Sequence, residues 1–221
     1  MPTVDEPQLL TLDRWIFRQR LSRTTPGRVL LLLHGWTGDE NSMWIFARKV
    51  PAEYTLLAPR APLADQNGGY SWREMTDGQW GFPSIEDLQP AADSLLAFME
   101  SWQASMSLAP EPFSVMGFSQ GAAVAYVLAL SHPDRVRRLA VLSGFLPSGA
   151  ETVLKSRPLA GKPVFVAHGL KDDRIPVERA RKSVVLLQAS GARVTYCEAE
   201  VGHKVSKECV QGMEYFFASI I

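Results

Sequence analysis

Six short apolar runs, each bounded by turn residues or polar segments, recur along this chain of 221 residues. Apolar runs of this length are typical of strands that are buried on both faces. They span residues 29–33, 55–58, 113–116, 139–142, 164–167 and 194–198. Segments with helical spacing lie between or after them, at residues 87–105, 120–131, 177–190 and 206–219. This alternation predicts an α/β fold with a mostly parallel central sheet and helices on both faces, and residues 9–18 are a candidate antiparallel edge strand.

Composition predicts one globular domain over residues 1–221, because 46% of the residues are hydrophobic and 21% are charged. The formal net charge is zero and no long basic run occurs, so we expect no nucleic-acid partner. The first residues lack a basic patch followed by an apolar core, and no segment has eighteen uninterrupted apolar residues. We therefore expect no membrane insertion and a cytoplasmic location.

The chain has two cysteines, Cys197 and Cys209. They form no close pair of the kind found in metal knuckles or redox motifs. We therefore expect two reduced thiols and no metal site.

A serine flanked by glycines stands where a buried strand meets a helix. The motif Gly117-Phe118-Ser119-Gln120-Gly121 follows the run 113–116 and precedes the apolar stretch 122–127. A serine on such a tight turn projects its hydroxyl above the sheet, and the glycines leave room that a Cβ would fill. The motif alone is weak evidence, but its strand and helix context identifies Ser119 as a candidate nucleophile.

Four histidines are available as a base for Ser119. His132 lies at the end of the predicted nucleophile helix, where a capping or surface role is favoured. His34 and His168 end buried strands and can bond to nearby loop backbone. His203 follows the last strand, at the edge where α/β sheets carry their chemistry, and is best placed to reach Ser119.

The base needs a carboxylate that holds its tautomer, and two adjacent acids, Asp172 and Asp173, follow the strand at 164–167. An acidic pair in a loop is more often turn chemistry than catalysis. The order nucleophile, acid, histidine is nevertheless that of α/β-hydrolases. One of the two acids is therefore expected to face His203.

An oxyanion needs two hydrogen-bond donors. One candidate is the backbone N–H of Gln120, which follows the nucleophile and begins a helix. The other is the backbone N–H of Trp36, in the loop that follows the early strand at 29–33. The alternative is that His34-Gly35 is merely a turn.

Together these residues resemble the phospholipase/carboxylesterase family of small α/β-hydrolases, which includes acyl-protein thioesterases and bacterial carboxylesterases. The resemblance spans residues 29–217 and rests on five blocks in order: Leu33-His34-Gly35-Trp36-Thr37-Gly38, Ala58-Pro59-Arg60-Ala61-Pro62, Gly117-Phe118-Ser119-Gln120-Gly121, His168-Gly169 with Asp172 and Pro176, and Gly202-His203 with Ser206.

The resemblance implies that Ser119 is the nucleophile and His203 the base, and it selects Asp172 over Asp173 as the acid. It implies hydrolysis of carboxylic esters, thioesters or lysophospholipids through an acyl-enzyme, without cofactor or metal. Family members often have Leu or a similar aliphatic residue where this chain has Trp36. That departure is expected to spare the main-chain donor and to reshape the acyl pocket.

Aromatic residues are dense around the long segment 59–83 and the predicted loops. They line an acyl groove or fill the core, and both readings stay open. The chain leaves no room for a large lid domain, and the connection after the strand at 139–142 is expected to be short. We therefore expect an open site that accepts short or medium acyl chains. The pocket candidates are Trp36, Trp44, Tyr70, Trp72, Trp80, Phe82 and Phe145.

Two alternatives remain from the sequence. A hydrolase fold can serve as a non-catalytic module that binds a small molecule, although such modules usually lack the serine or the histidine. A peptidase or acyltransferase would use the same nucleophile. Exposed aromatics on the segment 59–83 would also suit a homodimer contact.

Overall fold

A computed structural model describes residues 7–25, 27–74 and 81–219. Its main sheet has eight strands in the order β1-β2-β4-β3-β7-β8-β9-β10, and β5 pairs with β6 in a separate hairpin. Only the β1–β2 and β2–β4 pairs of the main sheet are antiparallel. The strands are β1 Gln8–Leu12, β2 Trp15–Arg20, β3 Arg28–Leu33, β4 Tyr54–Pro59, β5 Leu63–Ala64, β6 Tyr70–Ser71, β7 Phe113–Phe118, β8 Val136–Leu142, β9 Pro163–Gly169 and β10 Arg193–Ala199.

In the described ranges, six α-helices connect or follow these strands. They are α1 Trp44–Ala47, α2 Ile85–Ser105, α3 Gln120–Ser131, α4 Ala150–Leu154, α5 Val177–Ala189 and α6 Lys207–Ala218. A capping box begins α2, since the Ser84 hydroxyl accepts the Asp87 N–H and the Asp87 carboxylate accepts the Ser84 N–H. Within the described ranges, no helix combines the length and the apolar character that crossing a membrane requires.

Alternate side chains of the central strands enter two separate cores, one on each face of the sheet. Leu31 and Leu33 of β3 belong to the core under α2, α3 and α5. Leu30 and Leu32 belong to the core under α1 and α6. Because both faces are covered, the strands are apolar along their length, and the predicted α/β fold is confirmed.

Several connections differ from the expectation. The segment 59–83 contains the hairpin β5–β6, and the connection from β8 to β9 is long and includes α4. The helices α1 and α4 span only four and five residues, too few to show helical periodicity. No separate lid domain covers the sheet among the described residues.

The expectation of two reduced thiols is wrong, because Cys197 and Cys209 form a disulfide. Cys197 lies in β10 and Cys209 in the first turn of α6. The chain reverses between them, so that α6 packs back on β10 and brings the two Cα atoms to 5.6 Å. The two cysteines are 12 residues apart in the sequence, and this spacing does not indicate that the chain reverses between them.

Candidate active site

Ser119 occupies a sharp turn between β7 and α3. Its backbone has φ +54° and ψ −117°, a conformation that non-glycine residues rarely adopt. A Cβ at Gly117 would lie 2.2 Å from the carbonyl oxygen of Gly121, and a Cβ at Gly121 would lie 2.3 Å from that of Leu33. Both glycines are therefore required by close backbone approach, which is the geometry of a nucleophile elbow.

His203 and Asp172 complete a chain of hydrogen bonds with Ser119. The Ser119 hydroxyl lies 2.9 Å from Nε2 of His203, and Nδ1 of His203 lies 2.8 Å from Oδ2 of Asp172. A carboxylate only accepts, so Nδ1 carries the proton and Nε2 is left to accept from the hydroxyl. The three residues follow β7, β9 and β10, and the structure brings them together at the carboxyl edge of the sheet.

The Asp172 carboxylate is held from its other side by the loop that bears it. Its Oδ1 accepts the backbone N–H groups of Arg174 and Ile175 at 3.0 and 2.9 Å. The Asp172 side chain is buried, whereas the neighbouring Asp173 is exposed. Only one member of the acidic pair therefore faces the histidine.

The other histidines have the structural roles expected of them. His168 Nε2 donates to the Ile175 carbonyl at 2.8 Å, and burial lowers the pKa of its imidazole, which favours the neutral form. His34 Nε2 accepts the Ala61 N–H at 3.0 Å, and burial likewise lowers its pKa. His132 lies at the end of α3 and pairs with Asp93 on the surface.

The loop at residues 34–38 packs directly beside Ser119. A Cβ built on Gly35 would lie 3.3 Å from the Cβ of Ser119. The indole N–H of Trp72 donates to the His34 carbonyl at 2.8 Å, and the Thr37 N–H donates to the Tyr70 carbonyl at 3.0 Å. The hairpin segment therefore holds the loop that carries the backbone N–H of Trp36.

Gln120 ties the same hairpin to the start of α3. Its side-chain oxygen accepts the Trp72 N–H at 3.0 Å, and its side-chain nitrogen donates to the Ser71 hydroxyl at 3.0 Å. Its backbone lies in the first turn of a helix whose dipole favours negative charge. Gln120 and Trp36 thus flank Ser119 in chain segments that share one hydrogen-bond network.

A partly buried ion pair between Arg60 and Glu40 contacts this network. Arg60 donates to both oxygens of Glu40 at 2.7 and 2.9 Å and to the Tyr70 hydroxyl at 3.1 Å. The hydrogen bonds from Arg60 hold the pKa of the Glu40 carboxyl below its usual value. The motif at residues 58–62 therefore has a structural role, because Arg60 contacts Tyr70, whose carbonyl oxygen accepts the Thr37 N–H of the loop at residues 34–38.

A cavity of about 320 Å³ opens beside Gly35 and Phe118, next to Ser119. Trp36 borders it, and Asp65 accepts the indole N–H of Trp36 at 2.5 Å. Most of its apolar walls were not predicted from the sequence. They come from α1 and the residue before it, from the end of β7 and from the loop before α6, where no local pattern indicates that a side chain lines a pocket. Those missed residues are Met43, Ile45, Phe46, Phe118 and Val205, with Lys204 as the one charged side chain of the lining.

The other pocket candidates that the structure describes do not line this cavity. Trp72 is 3% exposed and belongs to the core, and Tyr70 packs against Arg60. Trp44 packs against the other core, next to the cavity residues Met43 and Ile45. Phe82 and Phe145 contact each other edge to face, with ring centroids 5.1 Å apart. Trp80 lies outside the described residues.

A larger cavity, of about 420 Å³, lies at the opposite edge of the sheet. It is bounded by the end of β2, the segment before β4 and the last turns of α6, including Arg20, Lys49 and Glu214. None of the residues around Ser119 reaches it. The smaller cavity is therefore the one that adjoins the candidate nucleophile.

A match to a family model shows which protein family the chain belongs to. The family model described as Phospholipase/Carboxylesterase matches residues 21–221. The chain belongs to the phospholipase/carboxylesterase family. Membership makes it a serine hydrolase of the carboxylesterase and acyl-protein thioesterase type, on the α/β-hydrolase fold.

Individual members of the phospholipase/carboxylesterase family show how distant the relationships are. A probable carboxylesterase from Oryza sativa subsp. japonica is 28% identical over 71% of this chain, and the match spans 61% of that relative's length. Acyl-protein thioesterase 1 from Kluyveromyces lactis is 29% identical, covering 71% of this chain and 75% of the relative. The crystal structure of a carboxylesterase from Mesorhizobium loti has a TM-score of 0.79 at 23% identity, covering 97% of this chain and 99% of that one.

Proposed function

We propose that this protein hydrolyses carboxylic esters of short to medium acyl chain, with Ser119 as nucleophile, His203 as base and Asp172 as the acid that orients His203. The observation that carries the proposal is the unbroken chain of hydrogen bonds from the Ser119 hydroxyl through His203 to Asp172, at 2.9 and 2.8 Å. Nucleophilic catalysis by a serine needs a base within hydrogen-bond reach of the hydroxyl and a third group that orients the base, and these two distances meet both needs.

The proposed reaction has two half-reactions. Nε2 of His203 takes the Ser119 proton while the hydroxyl oxygen attacks the ester carbonyl, and the resulting imidazolium then protonates the leaving alcohol. Asp172 stays ionised and stabilises that imidazolium through Nδ1. A water molecule, activated by the same imidazole, releases the acid from the acyl-enzyme.

The negative oxygen of each tetrahedral intermediate would be bound by the backbone N–H groups of Gln120 and Trp36. Support comes from the approach of Gly35 to Ser119 and from the position of Gln120 at the start of α3. Fixed donors of this kind stabilise charge that develops only during the reaction. The hydrogen bonds from Trp72 and to Gln120 would keep both segments in place before substrate binds.

The proposed acyl length follows from the cavity beside Trp36. At about 320 Å³ it is near the lower end of the volumes, about 300–1,000 Å³, that ligand pockets have. Ser119 itself is only 1% exposed, so the approach is narrower than the open site that the sequence predicts. A narrow, small cavity favours short and medium chains over long ones.

Thioesters are a second candidate substrate class, favoured by the relative from Kluyveromyces lactis that is named an acyl-protein thioesterase. The same nucleophile, base and donors would act, and a thiol would leave in place of an alcohol. Matched oxygen and sulfur esters of one acyl group would separate the two classes by their kcat/KM.

Hydrolysis of a p-nitrophenyl ester series from acetate to palmitate tests the proposal. We expect Ser119→Ala and His203→Ala to lose turnover by roughly 10⁴-fold or more, whereas His132→Ala, a surface histidine, keeps it. The wild type should prefer chains of intermediate length. Folded wild type without turnover of any ester would support the non-catalytic binding module instead, and retained turnover in Ser119→Ala would exclude the proposed nucleophile.

A further inference from the structure

Three cationic side chains on α5 have different surroundings. Arg181 donates to both carboxylate oxygens of Glu198 at 2.9 and 3.0 Å, and Lys182 lies 2.5 Å from Glu151. Arg179 has no carboxylate partner and no side-chain hydrogen bond among the described residues. Its guanidinium instead lies 3.1 Å from the ring centroid of Phe82 and 5.7 Å from that of Phe145.

Arg179 lies near the edge of the sheet that carries Ser119. Arg179 lies in the first turn of α5, four residues after Ile175, whose N–H donates to Asp172. Phe145 follows the carboxyl end of β8, the strand that pairs with β7. The Leu146 N–H donates to the Ser183 hydroxyl at 3.2 Å, which ties this segment to α5.

Arg179, Phe82 and Phe145 form a cluster, and this cluster and the cavity beside Trp36 lie over different cores. Phe145 packs in the core under α2, α3 and α5, whereas the cavity residues Met43 and Phe46 belong to the core under α1 and α6. A substrate bound at Ser119 with its acyl chain in the cavity would therefore extend its alcohol part towards Phe145 and Arg179.

The contact with aromatic rings leaves the guanidinium suited to bind an anion. Stacking on a ring uses the flat face of the guanidinium, while its N–H donors point outward in the plane and match the two oxygens of a carboxylate. Burial lowers the pKa of Arg179, as expected for a cation that has lost water without gaining a counter-ion. A carboxylate would supply that counter-ion.

We propose that Arg179 is a specificity-determining residue that binds a carboxylate on the alcohol part of the substrate, so that the preferred esters are anionic. The inference rests on the proposed function, because it needs Ser119 as the point of attack. Phe82, which is 41% exposed, and Phe145 would hold the guanidinium in position and contact the organic part of the same group.

Two butyrate esters with similar aryl leaving groups test this proposal, 4-carboxyphenyl butyrate as the anionic probe and 4-acetylphenyl butyrate as the neutral one. The quantity of interest is the ratio of their kcat/KM values in each variant. We expect Arg179→Gln to lower this ratio by about tenfold to hundredfold, mainly through KM of the anionic ester. Arg179→Lys should recover part of the ratio, because it keeps the charge without the planar donors.

The matched control is Arg181→Gln on the same helix, whose partner Glu198 is already in place, and its ratio should stay within about twofold of the wild type. A ratio that Arg179→Gln leaves unchanged, or an equal loss for both esters, would overturn the role of Arg179. Both of these results leave the proposed function intact, because in this experiment the proposed function fails if the folded wild type hydrolyses neither ester.

Discussion

Cys197 and Cys209 are joined across the loop that carries His203. The disulfide links β10 to the first turn of α6, and His203 lies between the two cysteines in the chain. Backbone hydrogen bonds tie the same loop to the segment of Asp172, since the Lys171 N–H donates to the Val201 carbonyl at 2.9 Å. The loop that carries His203 is therefore closed covalently as well as held by hydrogen bonds.

Replacing both cysteines, as Cys197→Ser with Cys209→Ser, should lower the free energy of unfolding by about 2–4 kcal/mol, because the unfolded chain regains the freedom of the closed loop. Urea titration measures the change. A dithiol reductant should lower the stability of the wild type by a similar amount and leave the double variant unaffected. Equal stability of the reduced and oxidised wild type would contradict the prediction.

Asp172→Asn should lower kcat by roughly 10³- to 10⁴-fold, because an amide can donate to His203 and favour the wrong tautomer. Asp173→Asn is the matched control, since the exposed neighbour has the same chemistry without the contact to His203. Steady-state hydrolysis of one p-nitrophenyl ester by the two variants is sufficient. Similar losses in both variants would show that the acid has been assigned to the wrong residue.

Trp72→Phe should lower kcat by about tenfold, because the His34 carbonyl loses its indole donor and the loop beside Ser119 loses its fixed position. Trp102→Phe is the control. Trp102 is equally buried, and its indole N–H donates to Gln19 at 2.7 Å, remote from Ser119. Both variants should be less stable on heating, but only Trp72→Phe should lose kcat; a comparable loss of kcat in Trp102→Phe would refute the positioning role.

Glu40→Gln should lower the free energy of unfolding at pH 7 by about 1–3 kcal/mol, because Arg60 loses a nearly buried partner. The folded pKa of Glu40 lies below the ordinary value of 4.5, so its contribution is full above that pH and is lost as the pH falls through the folded pKa. The stability difference between wild type and variant should therefore shrink below pH 4.5.

The control for this pH effect is Glu198→Gln, which removes an equally bidentate but exposed pair with Arg181. It should change the free energy of unfolding by less than about 1 kcal/mol, because water screens the exposed charges. Thermal denaturation of the three proteins between pH 3 and pH 7 gives the comparison. A Glu40→Gln curve parallel to that of the wild type would rule out the linkage.

Local pattern alone was sufficient for the fold class and for the approach of Ser119, His203 and one member of the acidic pair Asp172 and Asp173, whereas the choice of Asp172 needed the family resemblance. Alternating strands and helices permit few arrangements, and parallel strands bring their carboxyl ends to one edge. Loops that follow different parallel strands can therefore be predicted to lie close together at that edge, whatever the order of the strands in the sequence. The glycines around Ser119 are likewise a local requirement, because backbone atoms of neighbouring residues occupy the space of a Cβ.

Only the tertiary structure decided which side chains face each other across those loops. Trp72 is an aromatic residue of the kind that lines pockets, but the fold places its indole in the core, where the indole N–H donates to the His34 carbonyl. Arg179 looks like any helix cation until Phe82 and Phe145 are placed against it, and the cysteines look unpaired until α6 packs back on β10. These contacts join residues distant in sequence, so their geometry depends on the packing of whole elements rather than on any local pattern.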